Sequence, residues 1–187
     1  MSSQGESVSD PPSTRGSIGR ALDAASAAHG LAVLRIFVGV IALTNGLAKL
    51  FSFREIDVGP YSSTLIDRPE ALEILKIEIG RNDLPLLPTL VNDVIVPGYD
   101  FFGYLLTFTE LATGALLILG LFSRGAALVV FSQHFFLQLL YFSSGRFAFE
   151  QPHEWLPPLI LAVVSSGLVL GLDRRLARNR EGARWPS

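Results

Sequence analysis

The 187-residue sequence contains no cysteine. That absence excludes disulfides, thiolate zinc sites, iron–sulfur clusters and any persulfide intermediate carried by this chain, so redox chemistry here must use another group. Histidine is nearly as scarce, with 3 residues. A bis-histidine haem needs two axial imidazoles, yet only His134 falls deep in an apolar run, with His29 upstream of the first run and His153 just before Trp155. The paired Glu and Glu-x-x-His pattern of a di-iron carboxylate site is missing from the same runs. No haem, iron–sulfur or metal cofactor is expected. Charge is thin as well: 17% of residues are charged and the formal net charge is -2. The basic residues are scattered or lie beside apolar runs, which gives no case for nucleic acid.

What is present is apolar sequence. Hydrophobic residues make up 49% of the chain, too many for an ordinary soluble domain of this length. Residues 31–51, 101–122, 126–142 and 155–172 form apolar runs, each near the roughly 20 residues that cross the hydrocarbon of a bilayer. The expected fold is therefore an all-α integral membrane protein, a four-transmembrane-helix bundle within residues 29–176. Lys and Arg counts orient it. With the N-terminus inside, the cytoplasmic pieces carry Arg15, Arg20, Arg124 and then Arg174, Arg175, Arg178, Arg180 and Arg184. On the other side, Arg146 stands alone, and Arg54, Arg68, Lys76 and Arg81 are diluted by 9 acidic residues between Phe51 and Phe101. Both termini are expected in the cytoplasm.

Residues 1–28 are rich in Ser, Gly and Ala without a sustained apolar period and read as a disordered cytoplasmic tail; residues 177–187 read as a basic one. The first apolar run is too long for the core of a secretory signal and reads as a retained helix. The external loop, residues 52–100, is long enough to form a small cap. Within it, residues 70–79 fit an amphipathic helix through Leu72, Leu75 and Ile79 or a strand through Leu75, Ile77 and Ile79, and the helix is preferred. Residues 84–97 are apolar but broken by Pro85, Pro88, Asp93 and Pro97, so they pack over the bundle or lie at the interface rather than cross.

Glu110 is the only charged side chain in the run 101–122. A charge at the centre of a membrane helix costs roughly 2.5–3.5 kcal/mol and so faces protein or a water-filled cavity. Helical phase supplies the company. Arg35, Gly39, Ala42, Gly46 and Lys49 share one stripe of the first run with Asn45 beside it, while Glu110 shares a face with Gly103, Thr107, Thr113 and Gly114. Small residues on such faces permit close helix approach. In the third run His134, Gln138 and Tyr141 fall together and Gln133 points elsewhere. Depth counted from the outer ends of the runs puts Glu110 about 13 Å in, His134 about 12 Å, Asn45 about 9 Å and Lys49 about 3 Å, which matches Glu110 with His134.

Two readings of the cluster stand. In one, Arg35, Asn45, Lys49, Glu110 and His134 satisfy each other and fix helix packing. In the other they serve a quinone: its carbonyls accept hydrogen bonds and it takes up protons on reduction, which suits an imidazole beside a carboxylate. Glu110 and His134 are then the proton-handling groups, and Arg35, Asn45, Lys49 and Gln138 orient the headgroup or balance charge.

Residues 34–50, LRIFVGVIALTNGLAKL, with ELATGALLILGLFSRGAAL at 110–128 and GLDRRL at 171–176, resemble the DoxX/DoxD family of four-helix bacterial membrane proteins. Arg35, Gly39, Gly46 and Lys49 fall on the family's first-helix pattern, and Glu110, Gly114, Gly120 and Arg124 on its second-helix and turn pattern. The resemblance implies a protein of the bacterial cytoplasmic membrane. Its DoxD branch, which the long external loop resembles more than the short DoxX form, implies a membrane subunit of thiosulfate:quinone oxidoreductase working with a second subunit, DoxA. A protein partner or a homo-oligomer is expected within the bilayer. The competing functions are a non-enzymatic membrane anchor or assembly partner of another complex and, less favoured because a single carboxylate gives little sign of alternating access, a transporter of protons or a small solute.

Overall fold

A computed structural model describes residues 14–173 with the exceptions of 148 and 165. Its longest element is α1, Thr14–Phe51, which begins upstream of the expected start at residue 31. Helix therefore occupies residues 14–28, where a disordered tail was expected; residues 1–13 and the basic tail 177–187 lie outside the described residues. A two-stranded hairpin follows, β1 Glu55–Val58 paired antiparallel with β2 Tyr61–Thr64 around Gly59-Pro60, with Gly59 at a φ of 59° that glycine adopts without strain. The chain is thus mostly rather than entirely helical. Both strands are largely exposed and lack a buried alternating face, the signal by which a strand is read in sequence.

The preferred helix at residues 70–79 is present as α2, Arg68–Ile79. Asp67 starts it by accepting a hydrogen bond from the Glu70 amide at 3.0 Å, and Pro69 occupies the first turn, where its missing N–H costs nothing. The proline-broken stretch forms α3, Leu87–Leu90, and a π-helical turn, Val91–Ile95. These pack on α2 and the end of the next helix pair through Leu75, Ile79, Val91 and Leu140. Together residues 52–98 form a cap over one end of the molecule.

Below the cap, α4 (Tyr99–Leu119), α5 (Ser123–Leu140) and α6 (Pro152–Val163) pack with α1, chiefly as the pairs α1 with α4 and α5 with α6. Val38, Ala42, Leu117, Ala126, Ala127, Val130 and Leu161 join the pairs in one core. α1 and α4 approach on glycine. A Cβ on Gly114 would lie 2.5 Å from the Leu43 amide nitrogen, and one on Gly46 would lie 2.9 Å from that of Leu111. The stretch Asp23–Phe51 of α1 and the helix Tyr99–Leu119 are long and apolar enough to cross a membrane. Their most apolar windows are only 39% and 28% buried, unlike the core helix of a soluble domain, and Val33, Phe37, Phe101, Leu105 and Phe108 stand exposed.

α6 is shorter than its apolar run suggested, 12 residues ending at Val163, after which Val164 is extended and Ser166–Leu168 forms a 3₁₀ turn. The carbonyls freed by the interruption are taken up by a buried arginine described below.

Candidate functional site

Glu110 is paired with Lys49, not directly with His134. The Lys49 Nζ lies 3.0 Å from each carboxylate oxygen, with hydrogen-bond geometry toward Oε1 only, and Oε2 is buried without a hydrogen bond. Only 6% of the Lys49 side chain and 15% of that of Glu110 are exposed. The depths counted from sequence misjudged this pair because the helices do not end level. Gly46 packs on Leu111 and Gly39 on Gly114 and Ile118, a register that brings Phe51 opposite residue 106. α4 therefore projects beyond the end of α1 by about 10 Å at the rise of an α-helix, which erases most of the apparent offset between Lys49 and Glu110. A lysine stem spans the remainder.

The pair lies at the polar end of a cavity of about 1110 Å³ between α1, α4, α5, the cap and the start of α6, where Arg146, Glu150, His153 and Glu154 also line it. Asn45 and Tyr99 line it beside the pair, His134 and Gln133 line it from α5, and Leu65 and Ile74 close it from the cap. Most of its wall is apolar. His134 faces this cavity from the far side, with its Nδ1 at 3.5 Å from Glu154 Oε2, a contact too long to be a hydrogen bond and leaving that nitrogen buried without one. Among the described cavity-lining groups, Glu110 Oε2, His134 Nδ1 and the Gln151 amide oxygen thus lack hydrogen bonds. An acceptor and a tautomeric donor–acceptor in an apolar surround can bind a small polar head and pass a proton.

Two of the sequence-derived candidates lie elsewhere. Gln138 is outside the cavity lining and accepts a hydrogen bond from the Trp155 indole at 3.2 Å, so it fastens α5 to α6; Gln133 takes the cavity-facing place. Helical phase located the right turn of α5 and missed its rotation. Arg35 lies near the middle of α1, about 21 Å from Lys49 along its axis, and is fully buried. Its Nη1 donates to the carbonyls of Ser166 at 2.8 Å and Val169 at 3.3 Å, and its Nη2 to that of Leu170 at 2.8 Å. Those carbonyls are free because the chain has left helical geometry there. Asp173 completes the arrangement by accepting from the Phe122 and Ser123 amides at 2.7 and 3.0 Å and from the Ser123 hydroxyl at 2.8 Å, capping the start of α5 from 50 residues downstream. Gly120, Gly167 and Gly171 surround these groups so closely that a Cβ on any of them would strike Arg35, Asp173 or a neighbouring backbone atom.

Sequence reasoning missed the groups that hold the cap in place. Arg68 donates from Nε to the Lys49 carbonyl at 3.1 Å, and its own carbonyl accepts from the Tyr99 hydroxyl at 2.8 Å. Asn82 donates to the carbonyls of Leu139 and Leu140, both at 2.8 Å. Arg146 reaches the buried Glu78 of α2 at 3.3 Å and Glu150 at 2.7 Å, and the Glu150 hydrogen bond holds its guanidinium proton more tightly than usual. Glu154, at the start of α6, comes within 3.5 Å of His134. None of these belongs to a repeating pattern; each is one side chain reaching a helix end far away in sequence.

A family model described as DoxX matches residues 30–143, a stretch that holds Arg35, Lys49, Glu110 and His134 together with the whole cap. Comparison with curated proteins and with solved structures gives no match. The matched stretch covers more than half of the sequence and coincides with the helices and cap that enclose the cavity, and on that ground the chain belongs to the DoxX family.

Proposed function

We propose that this chain is a membrane subunit of a quinone-linked oxidoreductase, of the thiosulfate:quinone type that the DoxD branch implies, and that the cavity beside Lys49 and Glu110 receives the quinone. In this reading α1, α4, α5 and the α6 region cross the cytoplasmic membrane, both termini lie in the cytoplasm and the cap faces outward. The irregular stretch after α6 is compatible with membrane depth because Arg35 takes up its carbonyls, and non-helical backbone is tolerated there only when buried in protein.

The observation that carries the proposal is the pairing of an apolar cavity of about 1110 Å³ with a few convergent polar groups at one end. Ligand cavities of roughly 300–1,000 Å³ have this character. Lys49 Nζ and the Asn45 amide are donors for the headgroup carbonyls, and His134 stands within the same cavity to hold or move a proton at Nδ1. Glu110 balances the lysine and offers Oε2 as a second proton-accepting atom. A quinone supplies two-electron, two-proton redox chemistry when bound, with the electrons delivered by a partner subunit. What this chain contributes is binding, orientation, exclusion of water by the cap, and proton handling at Glu110 and His134.

Protein purified with its native lipids and analysed by mass spectrometry should carry quinone, and Glu110→Gln should slow donor-dependent quinone reduction in the assembled complex. Absence of quinone together with an unchanged rate for Glu110→Gln would sink the proposal. A second reading, a non-enzymatic anchor in which the cluster is a packing lock, draws on the ion pair itself. Under it Glu110→Gln lowers yield and thermal stability while the rate per folded complex is unaltered.

A further inference from the structure

We infer that the cavity continues as a side-opening trough between α1 and α5, and that this trough holds the linear apolar tail of the ligand whose head lies at Lys49 and Glu110. The inference rests on the quinone reading and adds to it the place of the tail and the route of entry, from within the lipid.

The lining contributed by α1 runs along one face from Leu34 through Val38 and Ile41 to Asn45 and Lys49. That is 16 residues of helix, a rise of roughly 22 Å. Polar groups occupy only the cap end of this face, and every α1 lining residue from Leu34 to Ile41 is apolar. α4 lines the cavity no further than Glu110, because beyond that level Gly39 and Gly114 bring α1 and α4 into backbone contact. The opposite wall is α5 with Val129 and Val130. α1 packs chiefly on α4, and α5 chiefly on α6, so the direct packing of α1 on α5 is slight along this stretch.

Exposure shows which side is open. Phe37 is 61% exposed, Val129 40% and Ile41 37%, whereas Lys49 is 5% and Val130 1%. The apolar flank is therefore open; at the polar end the ion pair is covered by a cap that Arg68 and Asn82 tie to α1 and α5, while Arg146, Glu150 and His153 form a second, charged rim toward α6. A ligand arriving from water would have to draw its apolar tail past that charged rim. One arriving from lipid meets an apolar rim first and polar partners last, and its tail stays in an apolar surround throughout. A headgroup alone occupies only the polar end and leaves the trough unused.

The test uses the full chain in lipid nanodiscs and a benzoquinone carrying a decyl tail with a terminal diazirine. After illumination, peptide mapping should place the label on residues 34–41 and 129–133, reduced at least tenfold by excess unlabelled decyl benzoquinone. Ile41→Trp, which fills the trough without touching the ion pair, should weaken binding of decyl benzoquinone at least tenfold, with concentrations taken per lipid, and leave binding of the tailless head unchanged. Competed label on Phe101, Leu105 or Phe108 instead, or equal weakening of tailed and tailless quinones, overturns the trough while the quinone reading stands. If neither quinone binds the wild-type protein, the quinone reading fails and the trough fails with it.

Discussion

α1 carries two buried cations about 21 Å apart along its axis, and they are satisfied in opposite ways. Arg35 is enclosed by its own chain: Nη1 and Nη2 are spent on three backbone carbonyls, Nε is buried without a hydrogen bond, and Asp173 nearby is spent on the start of α5. Glycines seal the surround so that nothing else fits. Lys49 has one carboxylate partner, and that carboxylate keeps an oxygen without a hydrogen bond at the edge of a cavity. Both centres look alike in sequence, a basic residue on a stripe with small neighbours. The difference is that one closes a turn and the other leaves capacity for a ligand.

The largest expected effect is at the closed centre. Arg35→Met frees three buried carbonyls and should cost roughly 3–5 kcal/mol, read as a large fall in the thermal unfolding midpoint in detergent. Arg35→Lys should not restore it, since an ammonium cannot reproduce the fork. A stable Arg35→Met protein would break the comparison. At the open centre, Glu110→Gln leaves Lys49 without its counter-charge and should cost less, about 1–3 kcal/mol, because glutamine keeps a carbonyl oxygen that can accept from the ammonium. The double variant Lys49→Met with Glu110→Leu should regain most of that stability and still lose bound quinone, since replacing a buried ion pair with apolar residues is often neutral. Quinone retained by the double variant would show the pair to be a second lock. The smallest effect is expected at Gln138→Leu, which removes the Trp155 hydrogen bond for about 0.5–1.5 kcal/mol and should leave quinone content unaltered.

Much of the framework was legible because it is periodic. The stripes Gly39–Ala42–Gly46 and Gly103–Thr107–Gly114 follow helical spacing, and the structure buries Ala42, Gly103, Thr107 and Gly114. The helix after Asp67 announced itself by apolar spacing, and its cap residue and early proline agree with it. What escaped depends on partners distant in sequence. The end of α6 falls where Ser166-Gly167 interrupts the apolar run, and the freed carbonyls are taken up by Arg35, more than a hundred residues upstream, which no local pattern shows. Lys49 and Glu110 met because α4 outreaches α1, a fact about helix ends at different heights. Arg35 and Lys49 share a face of α1, but phase alone does not say that one serves each end of the packed bundle.

The ties on α2 have a mechanical consequence. Arg68 fastens the start of α2 to the last turn of α1, Asn82 fastens the segment after α2 to the end of α5, and the Arg35 turn fastens the opposite end of the packed helix bundle. A bundle pinned at both extremities resists hinging at either one, and its compliance is left to the middle, where the direct packing of α1 on α5 is slight. Guests would then come and go by a bowing of two staves, without the bundle ever presenting a continuous aqueous path from one face to the other.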